Sequence, residues 1–149
     1  MTKVAVIGAG GQLGSDLVKA LKAKKWLVAP LLHQQIEIKN RQSINKCLSQ
    51  IKPKIVINTA AFHDTVACEH QPEEAMAVNG LGVMNVASWC RDNQAVLVHI
   101  STDYVFEGDV NRRQAYKETD LVVPQSAYGI SKVAGELWTQ SILQRYFVI

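Results

Sequence analysis

Apolar residues in this chain come in short unbroken runs, separated by longer stretches where they recur every three or four positions. The first run, Val4-Ala5-Val6-Ile7, ends at Gly8 and predicts a strand covered on both faces. Gln12 to Lys24 then sets Leu13, Leu17, Ala20, Leu21 and Ala23 near helical spacing. Trp26 to Leu32 is a second apolar run. Gln35 to Ile38 predicts a short third strand, and Arg41 to Ile51 a helix stopping ahead of Pro53. Ile55-Val56-Ile57-Asn58 reads as a strand. Pro72, at a first turn where its missing N–H does no harm, opens a helix predicted from Glu73 to Asp92. Ala95 to Ile100 is a strand, Ala127 to Leu143 a helix, and Tyr146 to Ile149 begins another strand. Phe106 to Gln125 is left as a loop, of a length usually found where a connection is functional or mobile.

Strands that alternate with helices and lack a polar face predict an α/β fold, a doubly wound parallel sheet of Rossmann-like type. The 149 residues make one domain, 1–149, with no repeat, low-complexity segment or linker. A 48% hydrophobic and 19% charged composition excludes a disordered chain. The net charge of +3 is scattered, with Lys24-Lys25 and Arg112-Arg113 the only adjacent basic pairs, so no nucleic-acid footprint is expected. No apolar run is long enough to predict a membrane span. Cys47, Cys68 and Cys90 are odd in number and widely spaced. They read as free thiols in a reducing, cytoplasmic compartment. No His, Cys, Asp or Glu cluster has metal-ligand spacing.

Candidate chemistry starts directly after the first strand, in Gly8-Ala9-Gly10-Gly11-Gln12-Leu13-Gly14. Leu13 breaks the common Gly-x-Gly-x-x-Gly pattern, but Gly-x-x-Gly-x-x-Gly fits through Gly8, Gly11 and Gly14. Gly8 would permit the tight turn, Gly11 would let backbone approach a pyrophosphate, and Gly14 would let the helix pack on the sheet. The helix N-terminus offers free N–H groups to phosphates. The second strand ends in Leu31-Leu32-His33, without the acid that often binds the adenosine ribose. Lys39 and Arg41 lie near Glu37, so NADH and NADPH both stay open as cofactors.

Tyr128 and Lys132 stand at i and i+4 of a predicted helix, on one face. A lysine charge beside a phenol favours phenolate and is expected to draw its pKa down toward neutrality, as acid–base work requires. Ser101-Thr102-Asp103 follows the Val96–Ile100 run at the end of the strand where open α/β sheets bind ligands. A hydroxyl there can polarise a carbonyl that Tyr128 protonates. Asn58-Thr59-Ala60-Ala61 ends its strand in small residues that admit a cofactor.

Six segments together, GAGGQLG (8–14), EI (37–38), NTAAF (58–62), CEHQPEEAMAVN (68–79), STDYVFEG (101–108) and YGISKVAGE (128–136), resemble the extended short-chain dehydrogenase/reductase superfamily. More narrowly, they are similar to the dTDP-4-dehydrorhamnose reductase family. The resemblance implies Tyr128 as proton donor and a cofactor contact, and Lys132 as the residue that tunes it and holds the nicotinamide ribose. It implies Thr102 on the ketone oxygen and Asp103 beside the sugar. Gly11, Gln12 and Leu13 would lie under the pyrophosphate, Glu37 and Ile38 near the adenine, and Ala60, Ala61 and Phe62 near the adenosine and ribose. The implied reaction is hydride transfer from NAD(P)H to the C4 ketone of a dTDP-4-dehydro-6-deoxyhexose, giving dTDP-L-rhamnose. The implied partner is a sugar nucleotide, and a homodimer is left open. The family's smaller C-terminal substrate domain is expected to be missing, the chain being a truncated N-terminal portion. The regulatory subunit of methionine adenosyltransferase is similar to the same family, so a non-catalytic NAD(P)-binding role is the alternative.

The remaining residues read as scaffold. His63, after the Ala60-Ala61 turn, could face the cofactor crevice but is expected to be structural, with His99 half-buried in its strand and His33 and His70 on the surface. Trp26, Trp89 and Trp138 are expected in the core or at an interface, and Glu73-Glu74 complement a helix dipole.

Overall fold

The computed structural model describes residues 2–149. The apolar runs form five strands: β1 (Lys3–Ile7), β2 (Leu27–Leu31), β3 (Ile55–Asn58), β4 (Val96–His99) and β5 (Tyr146–Val148). All pair in parallel, in the order β2-β1-β3-β4-β5. The interior position of β1, between β2 and β3, explains its unbroken apolar run, since successive side chains leave opposite faces and both faces are covered. Ala5 and Ile7 join Val56 and Leu97 in one core layer, packed by Ile44 and Leu48 of α2 (Arg41–Ile51) and Val86 and Trp89 of α5 (Val83–Asp92). Val4 and Val6 point the other way, toward Val18 and Leu21 of α1 (Gln12–Ala23). The chain runs from β1 outward to β2, then crosses back over β1 to β3. That reversal makes a topological switch point between the carboxyl ends of β1 and β3, where a crevice must open.

Three stretches differ from the sequence expectation. Gln35–Ile38 is not a strand. Ile36 and Ile38 are buried as a strand's alternate residues would be. Their backbone is satisfied locally instead, with Ile36 N–H on the Leu32 carbonyl and Glu37 N–H on the Ser43 hydroxyl. The helix expected over 73–92 begins as α4 (Pro72–Ala75), widens into a π-helical segment over Met76–Gly82, and resumes as α5. A short helix, α3 (Thr65–His70), precedes it; Asp64 caps its first turn by accepting from Ala67 N–H at 2.9 Å. It is too short and polar to show helical periodicity.

The last helix, α6 (Ala127–Ile142), packs against the π-helical segment, α5 and a 3-10 turn at Asp103–Val105. The loop before it is pinned rather than loose. Tyr116 stacks on Phe106 at 4.6 Å, Arg112 lies 4.1 Å over the Tyr116 ring, and Arg112 pairs with Asp120 at 2.5 Å. Trp89 is core, whereas Trp26 and Trp138 are exposed. No helix among the described residues is long and apolar enough to cross a membrane.

Candidate functional site

The glycine turn takes its shape from two close approaches. Gly8 has φ +80°, and a Cβ there would meet Thr59 Oγ1 and Ala60 N, each at 2.7 Å. Thr59 itself reaches back to the Ile7 carbonyl at 2.8 Å, locking β3 to the turn. A Cβ on Gly14 would strike the Gly8 carbonyl and come within 2.9 Å of Ala9 Cα, so α1 can lie this close only with glycine there. Gly11 is open by comparison, its nearest neighbour for a Cβ being Gly8 O at 3.4 Å. Gly11 is also the N-cap of α1 and no side chain caps that end, which leaves the first-turn N–H groups turned to the crevice.

The crevice has two lobes. One, of about 430 Å³, is bordered by Gly8, Glu37, Ile38, Ala60, Ala61 and Phe62. The other, of about 440 Å³, runs from Gln12, Leu13 and Gly14 to Ser101, Tyr128 and Lys132. Gly11, Thr59, Ala61 and His63 belong to both, so the lobes join over the glycine turn. A larger cleft of about 490 Å³, at Ala95 and Arg145, lies at the opposite, amino ends of β4 and β5, away from the switch point.

At the far end of the second lobe, Tyr128 is half-buried and packs edge-on against Tyr104, with ring centroids 5.6 Å apart. Burial pushes its phenol above the usual range, and the neighbouring Thr102 hydroxyl pulls the other way. Lys132 is buried, and its ammonium donates to the Ile100 carbonyl at 2.5 Å. Burial brings its pKa down to about 8, opposed by the charge of Glu136. The expectation that lysine draws the phenol down is therefore corrected. Tyr128 titrates upward because desolvation is its largest influence, and the lysine is not among the groups acting on it. Asp103 is exposed, 3.3 Å from the Thr102 hydroxyl.

Of the predicted site residues, Gly8, Gly11, Gln12, Leu13, Gly14, Glu37, Ile38, Ala60, Ala61, Phe62, Tyr128 and Lys132 border this crevice, whereas Thr102 lines neither lobe and stands beside Tyr128, with Asp103 next to it. Others complete the site. Asn79, from the π-helical segment, accepts from Phe62 N–H at 2.9 Å. It donates back to the Phe62 carbonyl at 2.8 Å and to Ser131 at 3.0 Å. Ser131 in turn donates to the Tyr128 carbonyl at 2.7 Å. One amide therefore joins the loop bordering the first lobe to the helix bearing Tyr128. Glu69 of α3 accepts from Ala127 N–H at 2.7 Å, holding the start of that helix. His99 is wholly buried, not half-buried. It lies 3.4 Å from Asn58, its Nε2 has no partner among the described residues, and its pKa is lowered to about 3, by burial first and then by Lys132.

A family model described as the RmlD substrate binding domain matches residues 2–149. The chain belongs to this family. Among similar members, the spore coat polysaccharide biosynthesis protein SpsK of Bacillus subtilis is 40% identical over 136 residues, 91% of this chain and 47% of that protein. A dTDP-4-dehydrorhamnose reductase of Aggregatibacter actinomycetemcomitans is 35% identical, over 91% of this chain and 46% of its own length. The structure of a dTDP-4-dehydrorhamnose reductase from Clostridium acetobutylicum superposes with TM-score 0.93 at 38% identity, covering 99% of this chain and 52% of that one. One from Bacillus anthracis, in complex with NADP, gives TM-score 0.94 at 34% identity, with the same coverage of 99% and 52%. The chain thus spans about half the length of the RmlD-family relatives it matches. Asn79 and Glu136 lie inside the segments that carry the likeness; Asn79 has no spacing rule that would single it out, whereas Glu136 continues the four-residue step from Tyr128 to Lys132.

Proposed function

We propose that this chain is the cofactor-binding portion of an NAD(P)H-dependent reductase acting on the C4 ketone of a dTDP-4-dehydro-6-deoxyhexose. The observation that carries the reading is the placing of Tyr128 and Lys132 at one end of a crevice that runs over the glycine turn, with the Thr102 hydroxyl beside Tyr128. The crevice fits a dinucleotide on its own chemistry: uncapped helix N–H groups, an open Gly11, and small Ala60 and Ala61 along its wall. The names of the relatives supply the substrate class.

In this reading Gly8, Gly11, Gln12, Leu13 and Gly14 hold the pyrophosphate. Glu37 and Ile38 border the adenine, and Ala60, Ala61 and Phe62 the adenosine and ribose. The bound cofactor supplies a hydride to the ketone carbon. Tyr128, kept protonated by its raised pKa, gives a proton to the ketone oxygen, so the product is the alcohol. The Thr102 hydroxyl holds that oxygen, and Asp103 lies beside the sugar. Lys132, one helical turn from Tyr128, binds ribose hydroxyls of the cofactor.

Two measurements test the proposal. NADPH at about a hundred times its Kd stabilises the chain by about 2.7 kcal/mol, visible as a rise in melting temperature. In a version extended to the length of its relatives, NADPH oxidation with dTDP-4-dehydrorhamnose, followed at the nicotinamide absorbance, is lost in Tyr128→Phe. No thermal response at saturating cofactor refutes the cofactor site. Turnover unaffected by the substitution refutes the proton donor.

A further inference from the structure

Glu136 has no part in the steps above, yet it lies on the working face of α6. Tyr128, Lys132 and Glu136 follow at four-residue spacing, so all three leave the helix on one side. Two of them grip consecutive residues just past β4. Lys132 Nζ donates to the Ile100 carbonyl at 2.5 Å, and the Ser101 hydroxyl makes a short hydrogen bond to Glu136 Oε1. Thr102 follows at once in extended backbone, φ −159° and ψ 153°, its hydroxyl accepting from Tyr104 N–H at 3.3 Å, so the Ser101 tether anchors the backbone that carries that hydroxyl.

We propose that Glu136 is a positioning residue for Thr102 and the Tyr128–Lys132 pair. Tied to Ser101, it fixes α6 against the end of β4 and keeps a negative charge one turn from the Lys132 ammonium. Groups on the other packed elements do not duplicate it. His99 of β4 is buried and stays uncharged down to about pH 3. Asn79 from the π-helical segment is neutral. Asp16 of α1 and His63 border the same lobe, and Asp103 is exposed beside Thr102. Cys68 of α3 acts on Tyr128, where it adds to the upward shift. Glu136 acts directly on Lys132, against the downward pull of burial.

The test has one arm free of any cofactor and one that rests on the functional reading. In the first, the chain carries lysine labelled with carbon-13 at Cε, and Lys132 is assigned by its absence in Lys132→Arg. Its titration midpoint is expected near 8. Glu136→Gln keeps an acceptor for Ser101 but removes the charge, and lowers the midpoint by about half a unit. Ser101→Ala leaves the charge in place and cuts the tether, giving a smaller drop in the same direction; it carries the test should Glu136→Gln not fold. In the second arm, Glu136→Gln weakens NADPH binding about twofold at pH 8 and leaves it unchanged at pH 6.5, because only near the midpoint does the charged fraction of Lys132 change. An unmoved midpoint in both variants overturns the proposal. Lowered midpoints in the variants, together with a wild-type chain that binds no NADPH, uphold the role of Glu136 and overturn the functional reading instead.

Discussion

Replacing Asn79 by alanine removes the amide on which two parts of the crevice depend. The side chain is 1% exposed, and its hydrogen bonds to Phe62 N–H, the Phe62 carbonyl and Ser131 are lost together. Ser131 keeps its bond to the Tyr128 carbonyl, but both Phe62 backbone groups lose a partner in a half-buried loop. At about 1 kcal/mol for each bond, the cost is about 3 kcal/mol. A domain of this size loses roughly 2–4 °C of melting temperature per kcal/mol, so a fall of roughly 6–12 °C is expected. Urea unfolding read by both far-ultraviolet circular dichroism and tryptophan fluorescence measures the change and checks that the transition is two-state. Asn79→Asp is the instructive companion. It keeps an acceptor for Phe62 N–H but turns a carboxylate oxygen toward the Phe62 carbonyl, so at neutral pH it costs at least as much as alanine. A stability loss below about 1 kcal/mol in Asn79→Ala would show that the amide is not the link assigned to it.

The glycine turn separates folding from binding. Gly14→Ala drives a methyl into the backbone of Gly8 and Ala9 and costs about 2 kcal/mol, whereas Gly11→Ala folds normally and loses about tenfold or more in NADPH affinity. Equal melting temperatures for the two variants would contradict this division. His99 sets an acid limit. With its pKa lowered from 6.5 to about 3, the unfolded chain binds the extra proton between those values, so the stability His99 contributes is complete above pH 6.5 and is lost as pH falls toward 3. Urea midpoints from pH 7 to 3.5 should fall more steeply in wild type than in His99→Gln, the difference being on the order of a few kcal/mol, and matching slopes would refute the assignment. Tyr128→Phe should keep NADPH affinity within about twofold while abolishing ketone reduction, as a proton donor requires; a large loss of cofactor binding would make Tyr128 a binding residue instead.

Much of the fold was legible because periodicity is a direct consequence of burial. Residues 4–7 and 55–58 read as strands because both faces of those strands are covered. Gln35–Ile38 misled for the same reason: Ile36 and Ile38 are buried alternately, but by a turn bonded to Leu32 and Ser43, and the pattern of burial does not report which backbone partners are used. Helix α3 was silent because six residues with one buried position carry too little pattern. The widening over Met76–Gly82 leaves the helical run looking continuous in the sequence.

Residue order alone determined the glycine turn between strand and helix, the four-residue step from Tyr128 to Lys132, and the hydroxyl placed past β4. These are local, set by chain geometry over a few residues. Tertiary structure decided what those residues experience. It raised the phenol by burial where lysine was expected to lower it, brought Lys132 down to about 8, and joined Phe62, Asn79 and Ser131 across the molecule. Desolvation and long-range hydrogen bonds depend on which distant segments come to surround a group. No reading of neighbours along the chain contains that, and only the packed fold supplies it.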